Sequence, residues 1–345
     1  MSFEYPLYSK NTVDKAGDLL RKSLTENVDI QELLKAQDIL SNWRSSHSYI
    51  INTFQATLRD KTKKLNVECL IAQRLKRMPS ILNKLRLRRT MRLSTMQDIA
   101  GIRVVVDSIY DVNKIAEAYR QAGFLHSRMP EDDYIVRPKP SGYRSLHQIY
   151  KYKNARNPKY DGLFIELQIR TRVQHAWATA VEIVDTFLKY SLKSSEGPEE
   201  WKNYFAQASS ALAHIEKCQL VPSFEDQSKQ QAFTATCESH SRLGVQTKLQ
   251  GYNLAASLPL TSRGSYYLLD LDTLTSRLQY TAYGRDRLAE ASAAYIDLEK
   301  RYSGSEDHQI VLVSAQSLSN LRRAYPNYFL DSHEYLKLIK SMTKR

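Results

Sequence analysis

Only three cysteines and eleven glycines occur in 345 residues. Cys69, Cys218 and Cys237 are scattered and form no Cys-x-x-Cys pair, so the chain encodes neither a disulfide framework nor a zinc site. The glycines build no GxxxxGK[ST] loop and no GxGxxG turn, which excludes the two common backbone cradles for phosphate. Any phosphate must therefore be gripped by side chains. No stretch approaches 18 consecutive apolar residues, and the start MSFEYPLYSK has no secretory apolar region, so a cytoplasmic protein without membrane contact is expected. Apolar residues at 42% and charged residues at 25% are ordinary globular values.

Charge is distributed unevenly. Residues 1–190 hold 32 Lys and Arg against 20 Asp and Glu, and the remainder hold 18 against 17. A basic excess confined to one part of a chain points to a polyanionic partner there, such as nucleotides or nucleic acid.

Residues 12–66 carry apolar side chains at helical spacing, with no glycine between Gly17 and Gly101. Pro79 and Ser80 read as a stop followed by an N-cap for a helix through Ile81 and Leu85. Strands are expected at 102–106, 146–152 and 163–171, with helices at 112–124 and after Val173. This order describes an α+β domain with a mixed sheet flanked by helices. The expected division is an N-terminal helical region (1–66), a central domain (67–195), a helix and polar linker (196–239) with a boundary at SSEGPEE, and a small α/β C-terminal domain (240–345).

The segment RLKRMPSILNKLRLRRTMR (74–92) has eight Lys or Arg and no acid. Like charges one helical turn apart cost about 0.2–0.5 kcal/mol per pair, so a solvated helix face normally mixes in Glu, and an offsetting anion is expected here. Arg74 and Lys76 alternate on an extended segment and point to one side, and Lys84 enters from the following helix. Three cations can converge on a polyphosphate.

Period-two alternation in LFIELQIRT places Glu166, Gln168 and Arg170 on one strand face. Burying an unpaired carboxylate is costly, so this stripe faces a ligand, a metal or an ion-pair partner. Asp98, just ahead of the IRVVV strand, is either a turn residue or, with Glu166, a holder of Mg2+, which takes oxygen ligands and binds through one or two carboxylates plus substrate phosphates. Phosphoryl or pyrophosphoryl transfer is the chemistry that needs such acids beside such cations.

Arg74-x-Lys76 with Lys84, Asp98-x-x-Gly101-x-Arg103, Tyr134 ahead of Pro138-Lys139, Gly142-Tyr143-Arg144-Ser145-Leu146-His147, and Glu166-x-Gln168-Ile169-Arg170-Thr171 with His175 fall in an order and spacing that resembles the RelA/SpoT synthetase domain. That resemblance, over about 120 residues, implies a nucleotidyltransferase-like mixed sheet. It also implies transfer of the β,γ-pyrophosphate of ATP to a ribose 3′-hydroxyl, of GDP or GTP, to make (p)ppGpp. On it, Arg74, Lys76, Lys84 and Arg103 meet ATP, Asp98 and Glu166 are catalytic and hold Mg2+, and Lys139, Tyr143, Arg144, His147, Gln168 and Arg170 meet the acceptor. Tyr143 offers an aromatic face for a base.

Ser141 stands where many members have Asn, and Thr179 where many have Glu, with Glu182 as the candidate replacement. No His-Asp dipeptide occurs, so the hydrolase half of the bifunctional relatives is not expected. Two alternatives stay open: a toxin-type enzyme that pyrophosphorylates the tRNA 3′ end, and an inactive nucleotide sensor. A homo-oligomer and a regulatory partner at the C-terminal domain are also left open. Tyr280-x-x-Tyr283 resembles a tyrosine pair that some fused toxin–antitoxin synthetases place over their ATP site, although two tyrosines so spaced more often mark one helix face packing inward.

Overall fold

The structure, a computed structural model, describes residues 3–121, 123–188, 192, 197–254, 265–275, 277–284, 286–302, 305, 307–314, 326 and 331–343. Among them, one nine-stranded mixed sheet has the order β3-β5-β6-β2-β1-β9-β7-β8, with the short β4 (Asp132–Asp133) also paired to β5. Its strands are β1 (Cys69–Leu75), β2 (Ala100–Val106), β3 (Ser127–Arg128), β5 (Leu146–Lys151), β6 (Phe164–Thr171), β7 (Tyr266–Asp272), β8 (Arg277–Tyr283) and β9 (His308–Ser314). Only β2 and β6 run parallel. A parallel pair needs a long crossover, here residues 107–163 with α4 (Ile109–Arg120), which Ser108 caps by accepting from the Asp111 N–H.

Alternation along the strands sorts the core. Ile102, Val104, Ile165 and Leu167 face a cluster built by α1 (Lys10–Lys22), the 35-residue α2 (Ile30–Lys64), α3 (Met78–Leu87) and α4. The N-terminal helices therefore cover the sheet. The opposite face meets α5 (Arg172–Leu188), α6 (Glu199–Glu216), α7 (Lys229–Arg242), α8 (Val245–Leu254) and α10 (His333–Met342) around Trp177, Tyr204, Phe205 and Tyr335. A smaller cluster seats α9 (Leu288–Arg301) on β7, β8 and β9. No helix among the described residues is long and apolar enough to cross a membrane.

Four expectations are corrected. Helix α3 begins at Met78, so Ser80 is not its N-cap, and Pro79 sits in the first turn, where a missing N–H costs no hydrogen bond. The polar stretch expected before residue 240 contains α7, opened by a capping box in which Ser228 and Gln231 bond each other's backbone N–H. Tyr280 and Tyr283 lie on strand β8, not on a helix; three apart on a strand they fall on opposite faces, Tyr283 in the small cluster and Tyr280 against the large one. The C-terminal strands build no sheet of their own, because β9 pairs with β1 through Gln73–Ser314 and Arg74–Val313. Three of the seven residues of the SSEGPEE boundary (194–196) lie outside the described residues.

Candidate active site

Two register rows cross the sheet and make the floor of a cleft. Ala72 on β1 stands opposite Arg103 on β2, Arg103 opposite Gln168 on β6, and Gln168 opposite His147 on β5. The next row runs Arg74, Gly101, Glu166, Ile149. Residues in register point the same way from the pleat, so motifs spread over almost a hundred residues become neighbours. The cleft has a volume of about 400 Å³, and seven Lys or Arg side chains against four carboxylates line it.

Lys76 and Lys84 close one end. Both ammonium groups lie 2.9 Å from Oδ2 of Asp98. Burial alone would raise the Asp98 carboxyl, but the two lysines outweigh it and hold the group well below the usual carboxylate range. Its other oxygen, Oδ1, is buried and accepts no hydrogen bond among the described residues.

At the other end, His147 joins the acid to the aromatic wall. Its Nδ1 lies 2.9 Å from Glu166 Oε1 and its Nε2 3.0 Å from the Tyr143 hydroxyl. Against the lowering effect of burial, Tyr143 and Glu166 push His147 up to about 9. The imidazolium in turn draws Glu166 below its ordinary value, although burial opposes this. Gln168 donates to Glu166 Oε2 at 2.7 Å, so both carboxylate oxygens are oriented. Lys139 covers the aromatic wall, 4.3 Å from the Tyr134 ring centroid and 5.4 Å from that of Tyr143. Arg170 is 1% exposed, donates to His175, and is lowered to about 9 by burial and then by Arg103.

The expected site residues Arg74, Lys76, Lys84, Asp98, Arg103, Lys139, Tyr143, His147, Glu166, Gln168 and Arg170 all line this one cleft. Arg144 does not. It follows Tyr143 on an extended segment, so it points away from the cleft; its Nε donates to Ser209 Oγ at 2.9 Å and Nη1 to the Gln219 carbonyl. Its role is to anchor the loop. Glu182 reaches the cleft while Thr179 is buried. Reasoning from sequence missed Asp132, Arg88 and Gln97 as lining residues. The signal for Asp132 was the acid run before Tyr134, which β4 sets opposite His147.

Gly142 lets the loop close. Its φ is +89°, and a Cβ there would stand 2.8 Å from Ser209 Cβ and 3.1 Å from Ala206 Cα. Its carbonyl accepts from Ser209 Oγ at 2.7 Å. Gly142→Ala is expected to cost about 1–3 kcal/mol through strain and overlap. Calorimetric melting checks this, and an unchanged midpoint would refute the tight seat on α6.

Residues 73–192 match a family model described as a region found in RelA / SpoT proteins. Over 168 residues the chain is 32% identical to the GTP pyrophosphokinase YjbM of Bacillus subtilis, covering 48% of this chain and 76% of that one. The chain belongs to the RelA/SpoT family. It is also 34% identical over 112 residues to the GTP pyrophosphokinase YwaC of Bacillus subtilis, covering 31% of this chain and 52% of the relative. The crystal structure of the small alarmone synthetase 1 from Bacillus subtilis aligns with half of the chain (50%) and 88% of its own, at 25% identity and a TM-score of 0.42. In this RelA/SpoT chain the family match ends at 192, so β7 to β9 and α6 to α10 lie beyond it.

Proposed function

We propose that the chain is a pyrophosphokinase that moves the β,γ-pyrophosphate of ATP to the ribose 3′-hydroxyl of GDP or GTP. The observation that carries this reading is the single cleft in which a cluster of cations faces Asp98 and Glu166 beside an aromatic wall. Arg74, Lys76, Lys84 and Arg103 grip the triphosphate of ATP. The acceptor's base stacks on Tyr143, and Lys139 leaves the ring to meet its phosphates together with His147 and Arg170. The new bond joins the 3′ oxygen to the β-phosphorus, the bond from that phosphorus to the α-phosphate oxygen breaks, and AMP leaves. Glu166, oriented by His147 and Gln168, takes the hydroxyl proton.

The residues fit a magnesium ion. Asp98 keeps one oxygen without a hydrogen bond among the described residues, and Asp98 and Glu166 are close enough to influence each other's ionisation. Among the described residues no group of three or more His, Cys, Asp or Glu can hold a metal unaided, so phosphates and water must complete the shell, as Mg2+ favours. Bound there, the ion would neutralise charge building on the phosphates. Lys76 and Lys84 exchange Asp98 for phosphate oxygens when the triphosphate enters, which returns the Asp98 lone pairs to the cleft.

A second reading takes the 3′-terminal ribose of tRNA as acceptor. It draws on Arg88, which lines the cleft, and on Arg86, Arg89 and Arg92, which continue from it as exposed side chains. One experiment tests both readings: γ-labelled ATP and Mg2+ with GDP, GTP, ADP or bulk tRNA, beside a Glu166→Gln control. Label in a guanine nucleotide is the expected result. Label only in tRNA supports the second reading, and label in no acceptor overturns both.

A further inference from the structure

Glu299 lies far outside the family match and outside the cleft, yet it is buried beside the cleft's cationic arm. Its Oε2 stands 2.6 Å from Arg44 Nη1, with the two side chains 6% and 2% exposed. The other oxygen, Oε1, accepts from the Tyr295 hydroxyl at 2.8 Å and from the backbone N–H of Met78 at 3.3 Å. Removing two charges from water to this degree is expensive, and a packed apolar pair would hold the helices together at least as well. The useful contact is the one to Met78.

Met78 opens α3, the helix that brings Lys84 to the cleft, and the preceding Arg77 gives that helix no side-chain cap. A helix start left with bare N–H groups needs an acceptor, and a carboxylate suits its dipole best. Glu299 supplies that cap from α9, more than two hundred residues along the chain. Arg77, next to Lys76, donates to Gln309 Oε1 on β9 at 3.1 Å, and Gln309 Nε2 donates to Thr186 Oγ1 on α5 at 2.9 Å. That helix also carries Glu182 into the cleft. Beside them, Val313 of β9 stands opposite Arg74. Three contacts from the C-terminal elements thus fasten the strand and helix that present Arg74, Lys76 and Lys84.

We propose that Glu299 and Gln309 are positioning residues for the triphosphate side of the cleft, so that the C-terminal β7–β9 and α9 elements complete the ATP site instead of regulating it from outside. This rests on the reading of that side of the cleft as the ATP site. It gives these elements a role other than docking the regulatory partner left open by the sequence. Neither Tyr280 nor Tyr283 lines the cleft.

The test uses the full chain, a non-hydrolysable ATP analogue in titration calorimetry, and separate KM values for ATP and acceptor. Arg44→Met with Glu299→Met removes the buried charges while keeping apolar volume, so the double variant should melt close to wild type. It is expected to bind the analogue about tenfold more weakly and raise KM for ATP alike, as loss of a helix cap predicts, with KM for the acceptor unchanged. Glu299→Gln keeps a carbonyl for the Met78 N–H and should recover most of the ATP affinity. Gln309→Leu, which leaves the Arg44–Glu299 pair in place and removes only the neutral acceptor of Arg77, gives a second measure if the double variant does not fold; it should weaken ATP binding about threefold or more. Wild-type affinity in folded Arg44→Met/Glu299→Met, or in Gln309→Leu should that be the folded variant, overturns this inference alone. A wild-type chain that binds no ATP analogue overturns the reading of the cleft as well.

Discussion

Asp98→Asn should abolish transfer while leaving nucleotide binding intact: turnover falls by about a thousandfold or more, the scale of losing a preorganised charge at a phosphoryl-transfer site. The same change should make ATP bind more tightly in the absence of divalent cation. Both effects come from one geometry. Oδ2 of Asp98 holds Lys76 and Lys84 at 2.9 Å, so the carboxylate competes with phosphate for the two ammonium groups. Asparagine keeps the shape and drops the charge, which releases the lysines to a triphosphate. With no anion present, the released lysines repel each other, and the variant should lose about 1–3 kcal/mol, between the exposed and buried limits for broken ion pairs. Added tripolyphosphate should restore its melting point. Turnover of the asparagine variant within tenfold of wild type would remove Asp98 from the mechanism, and cation-free affinity equal to wild type would remove the competition.

Glu166→Gln is the second large effect. Loss of a positioned general base lowers turnover by about 10²–10⁴-fold. The distinguishing readout is His147. In the wild type Tyr143 and Glu166 keep its imidazole charged, up to about 9, against the pull of burial. In the variant the counter-charge is gone while burial remains, so the imidazole should titrate well below 9. A folded-state value raised above the unfolded one stabilises the protein fully below about pH 6.5 and ceases to do so as pH rises through the raised value. The depressed Glu166 carboxyl works in the opposite direction: its contribution is present above its unfolded value and is lost in acid as it protonates. Wild-type melting should therefore fall between about pH 6.5 and 9 along this branch, and the Gln variant, which keeps Tyr143 but loses the carboxylate, should show a shallower slope. NMR titration of the His147 ring follows the same event directly. A wild-type imidazole titrating near 6.5 would contradict the buried pair.

Much of the cleft was legible because strand periodicity carries it. Arg74 and Lys76, Gly101 and Arg103, and Glu166, Gln168 and Arg170 are each two apart, and strand pairing lays those alternations side by side. Arg144 was misjudged because proximity in sequence to Tyr143 says nothing of side on an extended segment, where neighbours diverge. Helix α7 hid in a polar stretch since only one face of it is buried, through Ala232, Phe233, Thr236 and His240; its Ser-x-x-Gln start was the readable sign. The positions of β7 to β9 beside β1 were not legible at all. An edge of backbone donors and acceptors is the same for any strand, and the partners here are more than two hundred residues apart. Likewise Arg44 and Glu299 each look like an ordinary solvated helix charge until the two helices meet.

The place of β1 in the sheet has a consequence for synthesis. It lies between β2, which follows within a few dozen residues, and β9, which ends at Ser314. Until the ribosome has delivered β9, one flank of β1 stays open, a template for unwanted pairing between nascent chains. Translation that halts early would release fragments carrying every RelA/SpoT motif but with β1 paired on one side only, and prone to clump.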